Sequence, residues 1–131
     1  MDKLRDLIKS LPHVRYSGGI TQTEVVEAQK SIGISFAEDY TNYLLNFGQM
    51  QASGIELSGI SDKVLTSVVK MTLEERERKS IPDNTYVIEE LDIDGIIYVQ
   101  DTQGIIYEIS PGAKPNKVAD SLIQYIQSSQ K

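Results

Sequence analysis

The sequence predicts an α+β domain, in which a mainly antiparallel sheet of about four to six strands has helices packed on one face. Two observations lead to this prediction. Residues 21–48 have the pattern of two consecutive helices, and residues 85–109 contain three strand-like segments joined by short turns. Helical patterns also occupy both ends of the chain, and the predicted order is helices, one strand, a helix, three strands and a closing helix.

The helix pair is predicted from two start signals. Thr21 is followed three residues later by Glu24, and Ser35 is followed by Glu38 at the same spacing. This spacing is typical of a capping box, in which a hydroxyl and a carboxylate satisfy free N–H groups of the first helical turn. We therefore expect one helix to begin after Thr21 and a second after Ser35.

Each of the two predicted helices is followed by a glycine that can adopt a positive φ. Gly33 and Gly48 stand where a helix needs such a residue in order to stop. Apolar residues between these signals recur at helical spacing and predict one buried face per helix. They are Val25, Ala28 and Ile32 in the first helix, and Phe36, Tyr40, Tyr43, Leu44 and Phe47 in the second.

Three further helices are predicted. Residues 2–11 have apolar residues at helical spacing and stop at Pro12. A further helix is predicted over about residues 66–79, which end in strong helix formers, and a closing helix over residues 118–127, with Val118 on its packing face.

The predicted strands form a meander. Residues 54–59 alternate apolar and polar side chains, and residues 85–91, 95–100 and 104–109 are rich in β-branched and aromatic residues. The turns between the last three end in Gly95 and Gly104, as tight hairpins require. Residues 49–53 are predicted to be a polar connector.

The length and amino-acid composition fit one soluble domain over residues 1–131. The chain has 40% hydrophobic and 24% charged residues, which is ordinary for a globular protein. It has no cysteine, so disulfides and thiolate metal sites are excluded. No apolar run is long enough to span a membrane, and the first residues mix charges with apolar side chains, unlike a signal peptide. We expect a cytoplasmic protein that does not bind membranes.

Negative charge is concentrated in the strand region. The formal net charge is −6, and residues 80–113 carry seven acidic residues with no lysine or arginine. Nucleic-acid binding rewards the opposite charge, so we expect no nucleic-acid partner. An acidic surface favours a basic protein partner, because complementary fields speed encounter. The alternative is a solvated surface that only keeps the protein soluble.

The candidate partner-binding residues lie on the three predicted strands and in their turns. They are Glu89, Glu90, Asp92, Asp94, Tyr98, Asp101, Tyr107 and Glu108. Tyr98 and Tyr107 are on neighbouring strands and are candidates for a cross-strand pair, which would give them a packing role instead.

Catalytic and metal sites are poorly supported. His13 is the only histidine and stands beside a turn, so it has no predicted metal partners. The residues from Asp92 to Gly95 resemble part of a calcium loop but lack its closing Glu, and a hairpin turn explains them. A paired-carboxylate hydrolase would need a cleft that the sequence does not indicate. No metal, cofactor or catalytic residue is predicted.

The same stretches resemble the SUKH superfamily, the cell-wall-assembly-regulator and toxin-immunity group. The resemblance is carried by Glu24, Glu27, Ile32-Gly33, Phe36, Tyr40, Leu44 and Phe47-Gly48, then by residues 56–60, 81–110 and 118–126. Two positions depart from the family pattern. Ala37 stands where the family commonly has proline, and the chain has no tryptophan.

The resemblance implies a non-catalytic binding protein. Bacterial members of this kind are similar to immunity proteins that occlude a cognate toxin, often a nuclease. A basic toxin domain is then the expected partner, and the chain is expected to be a monomer or a weak homodimer. The alternatives are a general scaffold or regulatory module of the same fold, or a small hydrolase that uses the acidic cluster.

Overall fold

The computed structural model describes residues 2–91 and 93–130. Over these residues the helices are α1 Asp2–Ser10, α2 Gln22–Ile32, α3 Glu38–Phe47, α4 Val68–Glu77 and α5 Leu122–Ser129, with a 3-10 turn at Val64–Thr66. The strands are β1 Arg15–Tyr16, β2 Met50–Ala52, β3 Ile55–Glu56, β4 Thr85–Glu90, β5 Ile97–Asp101, β6 Ile106–Ile109 and β7 Asn116–Ala119. The predicted α+β class is confirmed.

The strands form two antiparallel sheets in the described part of the chain. One has the order β1-β2-β3 and the other the order β4-β5-β6-β7. The sheets meet at Ser58, whose N–H donates to the Ile88 carbonyl at 2.7 Å and whose hydroxyl donates to the Val87 carbonyl at 2.7 Å. Thr72 of α4 accepts from the Val87 N–H at 3.0 Å. The outer edge of β4 is therefore covered.

The main core lies between the helices and one face of the larger sheet. Its fully buried side chains include Ile8 of α1, Leu44 of α3, Ile88 of β4, Ile106 of β6 and Ile126 of α5. The opposite face carries a second, smaller cluster. It contains Met71, Ile81, Val87, Ile97, Val99 and Ile109. Helix α4 thus adds Met71 to the face that the other helices leave uncovered.

The start of α2 is as predicted. The Thr21 hydroxyl accepts from the Glu24 N–H at 3.1 Å, the Glu24 carboxylate accepts from the Thr21 N–H at 3.1 Å, and Gly33 ends the helix with φ +74°. The capping box predicted at Ser35 was wrong. Helix α3 begins at Glu38 after Ala37, which has no side-chain cap, so Phe36 lies outside the helix.

Tertiary contacts explain this later start. The Phe36 N–H donates to the Gln29 side chain at 2.8 Å, and the Ala37 N–H donates to the Tyr86 hydroxyl at 2.9 Å. The second of these bonds holds Ala37 in an extended conformation, with φ −62° and ψ 157°. Glu38 and Asp39 then place acidic groups in the first turn, where the helix dipole favours negative charge.

Helix α3 is packed firmly on the strands. The Tyr40 and Ser58 hydroxyls are 2.8 Å apart, and the Tyr43 hydroxyl donates to the Ser58 carbonyl at 2.8 Å while accepting from the Met50 N–H at 3.0 Å. Both rings are fully buried, and burial raises the pKa of each tyrosine above its ordinary value. These hydroxyls therefore act as neutral structural links.

Two further predictions were wrong. Residues 50–52, predicted as a polar connector, form β2, in which Met50 is fully buried. Val118, predicted on the packing face of the closing helix, lies in β7 and is 37% exposed, and α5 begins only after Ser121. Among residues 2–91 and 93–130, no helix has both the length and the apolar character needed to cross a bilayer.

Candidate functional site

The register of β4, β5 and β6 divides the predicted site between the two faces of the larger sheet. Tyr98 pairs with Glu108 on β6 and with Glu89 on β4, whereas Tyr107 pairs with Val99. Because adjacent residues of a strand point to opposite faces, Tyr98 and Tyr107 lie on different faces. The cross-strand pair proposed for these two tyrosines is therefore wrong.

Glu89 is a buried carboxylate beside α5. The register of β4 against β5 shifts between Val87 and Glu89. The Glu89 side chain is only 5% exposed. Its Oε2 accepts from the Glu56 N–H at 2.7 Å, and its Oε1 accepts from the Tyr125 hydroxyl.

Burial raises the pKa of the Glu89 carboxyl above its ordinary value. The hydrogen bonds from the Glu56 N–H and from Tyr125 oppose this rise, and the negative charge of Glu56 adds to it. The carboxyl is therefore held in a setting that disfavours its charge.

An aromatic cleft opens next to Glu89. It has a volume of about 250 Å³, and its walls include Glu89, Leu91, Tyr98, Val118 and Tyr125. The Tyr98 and Tyr125 rings lie with their centroids 5.2 Å apart at an angle of 52°. This cleft joins the end of α5 to strands β4, β5 and β7.

A second carboxylate, Glu108, stands close to this cleft. Its Oε2 accepts from the Tyr98 hydroxyl at 2.8 Å. Burial, and then the neighbouring Glu108, raise the pKa of Tyr98 to about 12. Burial and the nearby Glu89 raise the pKa of Tyr125 further. Both hydroxyls are therefore neutral donors to carboxylates.

Asp101, on the opposite face, organises the β5–β6 turn. Its side chain is 7% exposed, and its Oδ1 accepts from the N–H groups of Gln103 at 2.9 Å and Ile105 at 3.0 Å. The Tyr107 hydroxyl lies 3.4 Å from Asp101 Oδ2. Burial and this carboxylate raise the pKa of Tyr107. Asp101 therefore has a clear structural role in the turn.

Glu90 and Asp94 lie at the exposed end of the β4–β5 hairpin. Both side chains are exposed, and Asp94 adopts a positive φ of 54°. Ile93, between them in sequence, is a large apolar side chain that is 60% exposed. Asp92 lies outside the described residues. We call Glu90, Ile93 and Asp94 the hairpin tip.

Sequence reasoning missed Tyr125 and Asp39. Asp39 accepts from the Gln100 side-chain amide at 2.9 Å and from the Leu122 N–H at 2.8 Å, so it joins α3, β5 and the start of α5. The signal for the true start of α5 was Ser121 followed by Gln124. The Ser121 hydroxyl accepts from the Gln124 N–H at 3.2 Å, and this start places Tyr125 towards the sheet.

Glu89→Gln is expected to flatten the pH dependence of stability. The folded state holds the Glu89 proton at pH values where the unfolded chain has lost it, because the folded pKa is raised. The free energy of unfolding therefore falls as pH rises from about 4.5 through the raised pKa, and the variant lacks this contribution. Urea unfolding at stepped pH measures it.

The groups that face Glu89 are Glu56, Tyr98, Glu108 and Tyr125, and all four remain in the variant. Glu77→Gln, an exposed change on α4, is the matched control and should leave the wild-type slope intact. Equal slopes in all three proteins between about pH 4.5 and pH 7 would contradict a raised pKa at Glu89.

Among the described residues, no group of three or more histidine, aspartate or glutamate side chains is arranged to hold a metal ion. The site is thus defined by an exposed hairpin tip and by an adjoining aromatic cleft with a buried carboxylate. A cleft with apolar and aromatic walls and a few polar groups is the usual form of a binding site, which makes this region the candidate site.

Comparison with models of protein families identifies the family of this chain. The family model described as SMI1-KNR4 cell-wall, SUKH_5, matches residues 2–130. The chain therefore belongs to the SUKH family. No curated protein sequence matches the chain at a significant level.

Proposed function

We propose that this protein is a non-catalytic, cytoplasmic immunity protein that neutralises a cognate bacterial toxin by covering a basic surface of it. A nuclease domain is the favoured kind of toxin, because a nuclease presents basic residues to its phosphate substrate. The proposal extends from membership of the SUKH family to a particular partner class.

The observation that carries the proposal is the hairpin tip. Ile93 is a large apolar side chain that is 60% exposed, and the exposed carboxylates of Glu90 and Asp94 flank it in sequence. Tight protein interfaces depend on a few apolar or aromatic anchors that a polar rim shields from water. The hairpin tip supplies one such anchor and acidic groups for the rim.

Charge supports a basic partner. The protein carries a formal net charge of −6, and residues 80–113 lack lysine and arginine. A positively charged toxin domain would be steered towards this end of the sheet, and salt would slow the association. Occlusion needs no chemistry from the immunity protein, only a rigid surface that stays in place.

The buried carboxylates fit this proposal better than a hydrolase. Glu89 and Asp101 point to opposite faces of the sheet, and both accept hydrogen bonds from backbone N–H groups. A hydrolytic pair would need to face one substrate. A scaffold or regulatory module of the same fold is the remaining alternative, and the identity of the partner separates it from an immunity protein.

Charge reversal at the hairpin tip is expected to weaken toxin binding. The product of the neighbouring gene is tested first as the partner, by titration calorimetry at several salt concentrations. Glu90→Lys with Asp94→Lys should weaken binding by about tenfold or more and reduce its salt dependence, because two attractive charges become repulsive. Ile93→Ala should weaken it to a similar extent through loss of the anchor.

The matched control is Glu27→Lys, a reversal of one exposed acidic residue on α2. It changes net charge without touching the hairpin tip and should leave affinity within about threefold of the wild type. Unchanged affinity of the tip variants would place the interface elsewhere. The immunity role would be contradicted if the neighbouring gene product is not a toxin. It would also be contradicted if this protein fails to protect cells from that toxin.

A further inference from the structure

The aromatic cleft beside α5 has a chemistry that the hairpin tip does not explain. Leu91, which lies between Glu90 and Ile93 of the hairpin tip in sequence, also forms part of the cleft wall. The two features therefore adjoin along the chain. The cleft differs from the tip because its carboxylate is buried and its walls are aromatic.

The Glu89 carboxylate retains the capacity to accept further hydrogen bonds. A carboxylate offers about four acceptor positions, two on each oxygen. Glu89 uses one on Oε2 for the Glu56 N–H and one on Oε1 for the Tyr125 hydroxyl. One acceptor position on each oxygen remains for a donor that enters the cleft.

The electrostatic setting of the cleft favours a cation. None of the described residues that line it carries a positive charge. Glu108 adds a second carboxylate behind Tyr98, at 2.8 Å from its hydroxyl. The Tyr98 and Tyr125 rings add negative π faces, towards which cations are attracted.

Shape narrows the choice of cation. A cleft of about 250 Å³ with two tyrosines and apolar walls fits an extended side chain with a flat head. Guanidinium is planar, is weakly hydrated, stacks on aromatic rings and presents paired donors that match two carboxylate oxygens. An ammonium head is more strongly hydrated and would lose more on entering such a site.

We propose that this cleft receives an arginine side chain of the protein partner. The inference rests on the proposed function, because it takes the arginine from a basic protein that docks at the hairpin tip. The guanidinium would lie against Tyr98 and Tyr125 and donate to Glu89. The partner's charge would thereby offset the penalty of the buried carboxylate.

The cleft can be tested without the partner. The probe is N-acetyl-L-arginine methylamide, added to the whole protein while the tyrosine ring signals are followed by NMR. We expect saturable shifts at Tyr98 and Tyr125, with a dissociation constant on the order of 1–10 mM for a single side chain. Tyr43, fully buried in the core, is an internal control and should not move.

Two comparisons establish the role of charge. The citrulline analogue of the probe has nearly the same shape but no charge, and should bind about tenfold more weakly or not at all. Glu89→Gln should weaken binding of the arginine probe about tenfold or more. Glu77→Gln, an exposed change on α4, should leave it unaltered. If Glu89→Gln fails to fold, Tyr98→Leu, which removes one ring and keeps Glu89, replaces it and should also weaken binding.

Several results would overturn the proposal. These are the absence of saturable shifts at Tyr98 and Tyr125, equal binding of the arginine and citrulline probes, or unchanged binding by the folded cleft variants. Failure of the proposed function has a different signature, in which the arginine probe binds as expected but the neighbouring gene product does not. If that product binds and the probe does not, only the arginine cleft is wrong.

Discussion

Replacing Gly48 with alanine is expected to lower the free energy of unfolding by roughly 2–6 kcal/mol. Gly48 has φ +72° and ψ −65°, and the Gln49 N–H donates to the Phe47 carbonyl at 2.7 Å across it. This is the strained γ-turn conformation, which side-chain-bearing residues rarely adopt. It turns the chain sharply where α3 ends.

The same position has no room for a methyl group. A Cβ on Gly48 would lie 2.2 Å from the Gly18 carbonyl oxygen and 2.9 Å from the Ser17 hydroxyl. The first of these atoms is backbone, so no side-chain rotation can relieve the overlap. The cost of packing then adds to the cost of conformation.

Gly33→Ala is the matched control for Gly48→Ala. Gly33 has a similar φ of +74° with ψ +16°, the ordinary left-handed conformation, and a Cβ there would meet no atom within 4 Å outside its chain neighbours. Gly33→Ala should lower the free energy of unfolding by only about 1–2 kcal/mol, the usual cost of placing a residue with a side chain in the left-handed conformation. Urea unfolding of both variants measures the difference. Equal losses in the free energy of unfolding would show that the backbone around Gly48 and Gly18 can shift to accommodate a methyl group.

Tyr86→Phe is expected to lower the free energy of unfolding by roughly 2–6 kcal/mol, an unusually large effect for the loss of one oxygen atom. The Tyr86 hydroxyl donates to Gln100 Oε1 at 2.7 Å and accepts from the Ala37 N–H at 2.9 Å. Both partners are buried, so the variant leaves two polar groups without a bond, at about 1–3 kcal/mol each.

The ring contacts of Tyr86 should survive this change. Its ring centroid lies 4.9 Å from that of Phe36 and 5.0 Å from that of Tyr40, and phenylalanine can keep both contacts. Tyr107→Phe is the control, because the Tyr107 side chain is only half-buried and its hydroxyl lies 3.4 Å from Asp101 Oδ2. That change should cost less than about 1 kcal/mol in urea unfolding. Equal costs would mean that the core adapts to the lost hydroxyl.

The parts of the fold that local signals specify could be predicted. The capping box at Thr21 needs only two side chains three residues apart, and both bonds are present. The hairpin strands were predicted from β-branched and aromatic residues between turns. Such signals suffice because neighbouring residues supply both partners of each interaction.

Elements that depend on distant residues could not be predicted. Ala37, where the family commonly has proline, uses its N–H to bind Tyr86, and this contact delays the start of α3. Strand β2 exists because Met50 and its neighbours pair with β1 and β3. Propensity gives little sign of such pairing, because tertiary context decides it.

The sequence alone could not distinguish the buried acidic residues of the predicted site from the exposed ones. The acidic residues of the strands cannot be told apart by composition, but the register shift after Val87 accompanies the burial of Glu89, and the β5–β6 turn buries Asp101. The exposed Glu90 and Asp94 stay in the hairpin tip. Sequence alternation could assign faces only with the correct register, and the register of β4 against β5 shifts between Val87 and Glu89.

The hydrogen bond from the Leu122 N–H to Asp39 joins two residues that are synthesised at well-separated times. Helix α5, near the end of the chain, supplies one wall of the core and contacts α1, near its beginning. During synthesis, the apolar sides of α1 and α3 emerge from the ribosome well before α5 exists. These surfaces therefore stay uncovered on the nascent chain until α5 has been synthesised, and exposed apolar surface of this kind favours aggregation.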